Sequence, residues 1–161
     1  MTCGIATAEC VVADSFVTYE PCFTGGKKVW AAKGCLWVGA GSSRRLSQFR
    51  LWTFGKAKKP IIEKVEAEDE ETTKLEVLQV RPRDGIYLWI NDAIPDFVDS
   101  PFFAVGSGGG YAMGALSKGA TPLEALEIAS KWDSGTRGPF HAKVNCSDWA
   151  RSIFAVSWSV L

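Results

Sequence analysis

The 161-residue sequence predicts an α+β protein in which two antiparallel β-sheets are packed between two layers of helices. Three observations lead to this fold class. The first forty residues are rich in β-forming side chains and are interrupted by short turn sequences. A helical segment and a charged connector follow them. A second group of strands then precedes two further helices.

The opening forty residues predict two consecutive β-hairpins. Their four strands are expected at residues 3–8, 10–19, 28–32 and 35–40. Residues 21–26 contain one proline and two glycines, which indicates a turn between the hairpins. We expect both hairpins to belong to one antiparallel sheet at the start of the chain.

The rest of the chain predicts helices that alternate with strands. Residues 42–54 offer a serine N-cap and apolar side chains at helical spacing, so they predict a helix packed on the first sheet. Residues 56–73 are highly charged, which favours a short exposed helix or a solvated connector. The other predicted elements are strands at 75–80, 85–90 and 102–105, helices at 111–118 and 121–131, and more extended chain after them. The last helix begins with Thr-Pro-Leu-Glu, a capping box with proline in the first turn.

Bulk properties limit the classes of partner. The length fits one domain, expected over residues 2–161. Lys plus Arg and Asp plus Glu are both 18, so no overall charge favours nucleic acid or an anionic membrane. No apolar run approaches the roughly 20 residues that cross a bilayer, and no basic leader is present, so we expect a cytoplasmic protein. The five cysteines form no Cys-x-x-Cys pair, so neither a metal site nor a cofactor is expected.

Thr2 is the first residue that could carry chemistry. A small second side chain normally lets the initiator methionine be removed, and Thr2 would then carry a hydroxyl group and a free α-amine. A neutral α-amine has a pKa of about 7.7 to 8.0 and can accept the proton of that hydroxyl group. Because many proteins begin with Met-Thr, this signal needs further residues to support it.

An acid, a lysine and a glycine turn could complete such a site. Asp14 interrupts an apolar strand, and a buried carboxylate requires a cation as its partner. Lys28 opens the third predicted strand, where it could lie between Asp14 and Thr2 and lower the pKa of the amine. An ordinary cross-strand ion pair is the other interpretation. Gly41 lies between a strand and a helix, where backbone N–H groups can bind a developing oxyanion, unless it is a plain loop glycine.

These features resemble the proteasome β-subunits, and especially the bacterial HslV-type peptidases. The shared sequences are a threonine after Met1, Ala-Asp-Ser, Gly-Gly-Lys-Lys-Val, a Gly-Ala-Gly-Ser turn, Phe-Phe-Ala-Val-Gly-Ser-Gly-Gly-Gly-Tyr-Ala and Ala-Thr-Pro-Leu-Glu-Ala-Leu-Glu-Ile-Ala. The resemblance covers about residues 2–140. It implies the four-layer αββα sandwich of N-terminal nucleophile hydrolases and a threonine endopeptidase activity. It also implies unfolded peptide substrates, a homo-oligomeric ring and an unfoldase of the AAA+ type as partner.

The resemblance implies roles for individual residues. The catalytic residues that it implies are Thr2, Asp14, Lys28, Gly41, Ser107, Asp133 and Thr136. In that order they would be the nucleophile, the charged pair, the oxyanion donor, a hydrogen-bond partner near the amine, and two residues that complete the site.

A second set of residues would bind the substrate, also by resemblance. Phe16, Val17 and Thr18 would border the cleft and hold an extended peptide through backbone hydrogen bonds. Val38 and Ala40 would shape the pocket for the side chain before the scissile bond.

Four features depart from the family pattern. Lys27 precedes Lys28, so the register could shift by one residue, although strand alternation allows only one of them to face the site. Residues 56–73 are shorter and more acidic than the long second helix that is usual in the family. Residues 141–161 match nothing in the family. A retained Met1 would misplace the amine.

Two other functions remain open at this stage. The sequence Cys-Gly-Ile from Cys3 resembles the start of N-terminal-cysteine glutamine amidotransferases, although that cysteine would become terminal only if two residues were removed. A non-catalytic structural ring subunit of the same fold is the second, and a buried ion pair beside Thr2 would disfavour it. The glycines of residues 106–110 lack the lysine of a phosphate-binding loop, so nucleotide binding is set aside.

Overall fold

The computed structural model describes residues 2–19, 22–25, 27–59, 74–91 and 94–144. The strands are β1 (Gly4–Thr7), β2 (Cys10–Asp14), β3 (Phe16–Tyr19), β4 (Cys22–Gly25), β5 (Val29–Ala32), β6 (Cys35–Gly41), β7 (Leu75–Arg81), β8 (Gly85–Ile90), β9 (Asp96–Val98), β10 (Phe102–Val105) and β11 (Phe140–Val144). The helices are α1 (Ser43–Thr53), α2 (Gly109–Ser117) and α3 (Pro122–Trp132).

Two antiparallel sheets form the centre of the molecule. One has four strands in the order β10-β1-β2-β11, and the other has five in the order β5-β6-β7-β8-β9. All neighbouring strands run antiparallel. Strands β3 and β4 form a separate two-stranded ribbon between β2 and β5 in the sequence.

Apolar side chains fill three spaces between the layers. The space between the two sheets is filled by small and branched residues: Ala6, Val11, Ala13, Val29, Leu36, Val38, Ala40, Leu78, Val80, Ile86 and Val105. The outer face of the four-stranded sheet packs under α2 and α3, and the outer face of the five-stranded sheet packs under α1. Because both faces of both sheets are covered, the predicted αββα sandwich is confirmed.

Aromatic rings hold α1 on the five-stranded sheet. Trp30 and Trp37 stack with ring centroids 6.2 Å apart, and Phe49 of α1 makes edge contacts with Trp37 and Trp89 at 5.9 and 5.6 Å. The indole N–H of Trp30 donates to Thr53 Oγ1 at 2.9 Å, so its polar atom is satisfied within the cluster. This packing fixes the end of β6, where the predicted oxyanion donor lies.

The helices begin and end close to the predicted positions. The capping box of α3 is confirmed, because Thr121 Oγ1 accepts from the N–H of Glu124 at 3.3 Å and the Glu124 carboxylate accepts from the N–H of Thr121 at 2.8 Å. Ser42 is the N-cap residue of α1, but its side chain makes no capping hydrogen bond. Helix α2 starts two residues earlier than predicted, at Gly109. None of the helices in the described ranges is long and apolar enough to cross a membrane.

Two predictions for the opening strands are wrong. Residues 10–19 do not form one strand, since β2 ends at Asp14 and β3 begins at Phe16 in another sheet. The Asp14 side chain accepts the N–H of Phe16 at 3.0 Å, and this local bond competes with continuation of the ladder. Residues 21–26 are not only a turn, because β4 lies within them and pairs with β3.

The predicted single opening sheet is also wrong. The hairpin β1-β2 belongs to the four-stranded sheet, and the hairpin β5-β6 belongs to the five-stranded sheet. Strands β9 and β11 were not predicted as strands, and each forms an edge of one sheet. Strand β11 includes the first residues of the tail that the sequence left unassigned, and it pairs with β2. Residues 60–73 and 145–161 of the predicted connector and tail lie outside the described residues.

Candidate active site

Thr2 lies just before β1 and is held by residues 106–108, the turn that follows β10 (the 106–108 turn). Thr2 is 3% exposed. Its N–H donates to Ser107 Oγ at 3.2 Å, and its carbonyl accepts from the N–H of Gly108 at 3.2 Å. Gly106 has a φ of +88°, and a Cβ added there would lie 2.2 Å from the Thr2 carbonyl oxygen. Only glycine permits this close approach of the turn to Thr2.

The Lys28 ammonium group connects Thr2 to Asp14. Its Nζ lies 2.9 Å from Asp14 Oδ2 and also donates to Thr2 Oγ1 and to the carbonyl oxygen of Phe16. The three N–H donors of the ammonium therefore have three acceptors. The side chains of Lys28 and Asp14 are 6% and 0% exposed. The predicted contact between these three residues is present in the structure.

The structure places Lys28, and not Lys27, inside the site. Lys27 is exposed. Lys28 immediately precedes β5 of the five-stranded sheet, and its ammonium group reaches Thr2, just before β1, and Asp14, at the end of β2 in the four-stranded sheet. The expectation that Lys28 and Thr2 share one sheet is therefore wrong, although their side chains meet.

Asp14 is fixed by backbone donors as well as by lysine. Its Oδ1 accepts from the N–H of Cys3 at 2.8 Å, and its Oδ2 accepts from the N–H of Phe16 at 3.0 Å. Burial raises the pKa of Asp14, against the opposing effect of Lys28 and the backbone donors. Burial likewise lowers the pKa of Lys28, against the attraction of Asp14.

A hydrogen-bonded chain leads away from the Thr2 nitrogen. Ser107 Oγ donates to Asp133 Oδ2 at 2.8 Å, and Thr136 Oγ1 donates to the same oxygen at 2.5 Å. Burial acts to raise the pKa of Asp133, but the hydrogen bonds from Thr136 and Ser107 outweigh it and hold that pKa below its usual value. Ser107 Oγ also lies 3.4 Å from the Thr2 carbonyl oxygen, but its shorter contact with Asp133 favours donation to the carboxylate. A lone pair of the Ser107 oxygen then accepts from the Thr2 N–H.

Gly41 ends β6 and has a φ of +107°. A Cβ added there would lie 2.0 Å from the carbonyl oxygen of Lys74, so packing against the chain before β7 already requires glycine at this position. Its role as oxyanion donor stays a prediction.

The five predicted substrate-binding residues fall into two groups. Phe16 contacts the site through its backbone, and Val17 and Thr18 follow it in β3, paired with β4. Val38 and Ala40 are 0% and 1% exposed and face the core between the sheets, and their role in shaping a substrate pocket stays a prediction. Side chains alternate along β6, and the inward positions pack against the N-terminal strand and the 106–108 turn.

Three backbone contacts within the site were not predicted from the sequence. They are the N–H of Cys3, the carbonyl oxygen of Phe16 and the N–H of Gly108. All three are backbone groups, which any residue type can supply. The glycine-rich sequence after β10 was the one available signal, because consecutive glycines often mark a close backbone approach.

The Cys3 thiol is buried next to the site but is not activated. Cys3 is 0% exposed, and burial, together with the charge of Asp14, raises its pKa to about 12. A nucleophilic cysteine needs the opposite shift, because the thiolate is the reactive form. Within the described ranges, no group of three or more His, Cys, Asp or Glu side chains is arranged to hold a metal ion.

Comparisons with known proteins identify the fold. No protein-family profile and no curated protein sequence matches the chain. Among solved structures, BPH from Thiobacillus denitrificans superposes with a TM-score of 0.67 at 16% identity, over 89% of this chain and 97% of that chain. Eukaryotic HslV from Trypanosoma brucei gives 0.58 at 15% identity, over 89% and 97%.

A third similar structure is Anbu, an ancestral beta-subunit, from Yersinia bercovieri, with a TM-score of 0.58 at 12% identity, over 89% of this chain and 81% of that chain. Identities this low show a shared fold and leave the activity to be argued from the site. The chain therefore has an αββα sandwich, a fold that it shares with BPH, HslV and Anbu.

Proposed function

We propose that the chain is a threonine-type endopeptidase subunit of a self-compartmentalising, proteasome-like protease. One observation carries the proposal: a buried Lys28 ammonium group, paired with Asp14, donates a hydrogen bond to the hydroxyl oxygen of Thr2. Burying two charges costs desolvation free energy. Their position beside a hydroxyl group therefore favours a catalytic role over a purely structural one. Clusters of titratable groups with shifted pKa values are typical of catalytic sites.

The proposed reaction begins when removal of Met1 turns the Thr2 nitrogen into an α-amine. This amine donates one hydrogen to Ser107 Oγ, as the Thr2 nitrogen does in the structure, and its lone pair accepts the proton of the Thr2 hydroxyl group. Thr2 Oγ1 attacks the peptide carbonyl carbon, and the N–H of Gly41 binds the resulting oxyanion. The C–N bond then breaks as the leaving amine takes the proton. Water hydrolyses the remaining ester and restores Thr2.

The other residues set the electrostatics of this step. A cation that donates to Thr2 Oγ1 stabilises the developing alkoxide and lowers the pKa of the neighbouring amine, so that the amine is neutral near physiological pH. Asp14 holds that cation in place. Asp133 and Thr136 orient Ser107, which in turn fixes the direction of the amine lone pair.

The proposed substrate is an unfolded peptide or protein. It would lie in extended form beside Phe16, Val17 and Thr18 and be held through their backbone groups. A peptidase site open to the cytoplasm would cleave any unfolded chain, so sequestration in a homo-oligomeric ring fits this chemistry. The fold similarity to HslV is consistent with such a ring. An AAA+ unfoldase as partner is proposed on the sequence resemblance alone.

The site disfavours both alternatives drawn from the sequence. An N-terminal-cysteine amidohydrolase would need an activated Cys3, whereas this thiol is buried and has a pKa raised to about 12. A non-catalytic ring subunit would gain nothing from the buried pair of Lys28 and Asp14 beside a hydroxyl group.

The test combines peptide cleavage with intact mass. Wild type should cleave an unstructured fluorogenic peptide, Thr2→Ala should lose at least about a thousandfold in kcat, and Thr2→Ser should keep measurable activity. The mass of the active protein should lack one methionine. Unchanged thermal unfolding of Thr2→Ala would show that the fold is intact.

Lys28→Ala and Lys27→Ala form a matched pair for the same assay. Loss of activity only in Lys28→Ala is expected, because Lys27 is exposed. Cleavage that survives in Thr2→Ala would refute the mechanism. Retention of Met1 on a protein without activity would favour the structural ring subunit.

A further inference from the structure

A third carboxylate, besides those of Asp14 and Asp133, lies next to the site and has no part in the proposed reaction. Glu76 is in β7 of the five-stranded sheet, and its Oε2 accepts from the N–H of Gly106 at 3.0 Å. Its Oε1 lies 2.9 Å from the ammonium group of Lys74. The Glu76 side chain is 20% exposed and the Lys74 side chain 58%, so the glutamate is mostly buried and its lysine partner lies on the surface.

Gly106 is the first residue of the 106–108 turn and lies just beyond the pairing of β1 with β10, which ends at Gly4 and Val105. Its N–H therefore lacks the ladder partner that a strand residue would have, and Glu76 supplies an acceptor. A carboxylate acceptor gives a stronger hydrogen bond than a neutral oxygen. The bond crosses from one sheet to the other, because Gly106 follows the four-stranded sheet.

The same turn holds both backbone groups of Thr2. Ser107 Oγ accepts from the Thr2 N–H, and the Gly108 N–H donates to the Thr2 carbonyl, both at 3.2 Å. A shift of the turn at Gly106 would move both partners together. Displacement of a catalytic group by about 1 Å can lower a rate about a hundredfold.

We propose that Glu76 is a positioning residue for the nucleophile: it holds the 106–108 turn against Thr2 by accepting the N–H of Gly106. Its effect on rate rests on the proposed peptidase function, whereas its effect on the turn does not. Glu76 acts through Gly106 and is not itself a catalytic group.

Three variants separate the hydrogen bond from the ion pair. Glu76→Ala removes both interactions. Glu76→Gln keeps an acceptor oxygen for Gly106 but loses the ion pair, and Lys74→Ala removes only the ion pair. The proposal assigns the function to the acceptor, so the last two variants should behave alike and differ from the first.

The kinetic arm measures kcat and KM separately on the full chain. Glu76→Ala should lower kcat about tenfold, as expected for a lost hydrogen bond to a charged group, with KM changed less than about twofold. Glu76→Gln and Lys74→Ala should stay within about threefold of wild-type kcat. An unchanged kcat in Glu76→Ala, or an equal loss in Lys74→Ala, would overturn the assignment.

The exchange arm measures hydrogen exchange of the Gly106 and Ser107 amides and needs no activity. Glu76→Ala should exchange about tenfold faster at these amides, and Glu76→Gln should not. Equal exchange rates of the Gly106 and Ser107 amides in wild type and Glu76→Ala would refute the positioning role of Glu76. If wild type cleaves no peptide while the exchange difference is observed, the peptidase proposal fails but the hydrogen bond from Gly106 to Glu76 is still shown to hold the turn. All variants are compared at a temperature where thermal unfolding shows each to be folded.

Discussion

Replacing Lys28 with methionine should destabilise the protein by about 3 kcal/mol, because it leaves the Asp14 carboxylate buried without its cation. Methionine keeps most of the volume of the lysine stem, so the change removes charge and hydrogen bonding more than packing. The Asp14 side chain is 0% exposed and cannot turn to solvent without moving the end of β2.

The magnitude follows from the contacts. Two unit charges at 2.9 Å attract each other by about 6 kcal/mol when the effective dielectric constant is about 20. The substitution also removes the cost of burying the Lys28 ammonium group, and this offsets part of the lost attraction. The carboxylate also keeps the N–H donors of Cys3 and Phe16, which places the loss near the lower end of the usual range of about 3 to 5 kcal/mol.

The assay is urea unfolding at fixed protein concentration, because association would add to the measured stability. Lys27→Met is the matched control and should change the free energy of unfolding by less than about 0.5 kcal/mol, since Lys27 is exposed. Asp14→Asn removes the orphaned charge, so the double variant with Lys28→Met should recover part of the loss. The double-mutant cycle of Lys28→Met and Asp14→Asn should give a coupling energy of about 2 kcal/mol between the two residues.

A coupling energy below about 0.5 kcal/mol would refute the reasoning, as would a larger loss in Lys27→Met than in Lys28→Met. The pH dependence gives an independent check. Burial raises the pKa of Asp14, and loss of the cation should raise it further. The folded state of Lys28→Met then binds a proton more readily than the unfolded state, so the destabilisation should shrink as the pH falls.

Three further predictions concern the residues around Thr2. Gly106→Ala should lower stability by at least about 2 kcal/mol in thermal unfolding, because its Cβ would meet the Thr2 carbonyl at a φ of +88°, whereas Gly110→Ala, with open space around it, should be neutral or stabilising. The raised pKa of Cys3 should make stability fall by about 1.4 kcal/mol per pH unit between pH 9 and 12, and Cys3→Ala should remove that slope in urea unfolding; equal slopes would contradict the assignment. The lowered pKa of Asp133 contributes stability above the unfolded-state pKa of about 4 that is lost as the pH falls, so Asp133→Asn should flatten the acid side of the same curve.

The contact of Asp14 and Lys28 in the candidate site could be predicted from the sequence because Asp14 breaks a local rule. Asp14 is an acid in an apolar strand, and a buried acid requires a cation such as Lys28. The glycines after β10 permit a close backbone approach, which the structure shows at Gly106 but which was not predicted. Residue chemistry thus indicated which side chains meet, and the contacts in the structure agree.

Sheet membership could not be predicted in the same way. Strands that are buried on both faces give no alternation to show which neighbour they pair with, so the two opening hairpins were assigned to one sheet. Because the two sheets stack face to face, the side chains of Val38 and Ala40 point into the core between them. Glu76 gave no signal, because a charged residue next to a buried one in a strand is typical of a solvent-facing position.

The ammonium bridge between the sheets also affects when the site comes into existence. Thr2 lies 26 positions from Lys28 and 105 from Ser107 along the chain, and the first of these contacts needs the two sheets to be stacked face to face. Contacts between such distant segments form late, because closing long loops is entropically unfavourable. A nascent or partly folded chain would therefore lack the contacts of Thr2 with Lys28 and Ser107. On the proposed function, the Thr2 hydroxyl group would stay unreactive until the tertiary structure was complete.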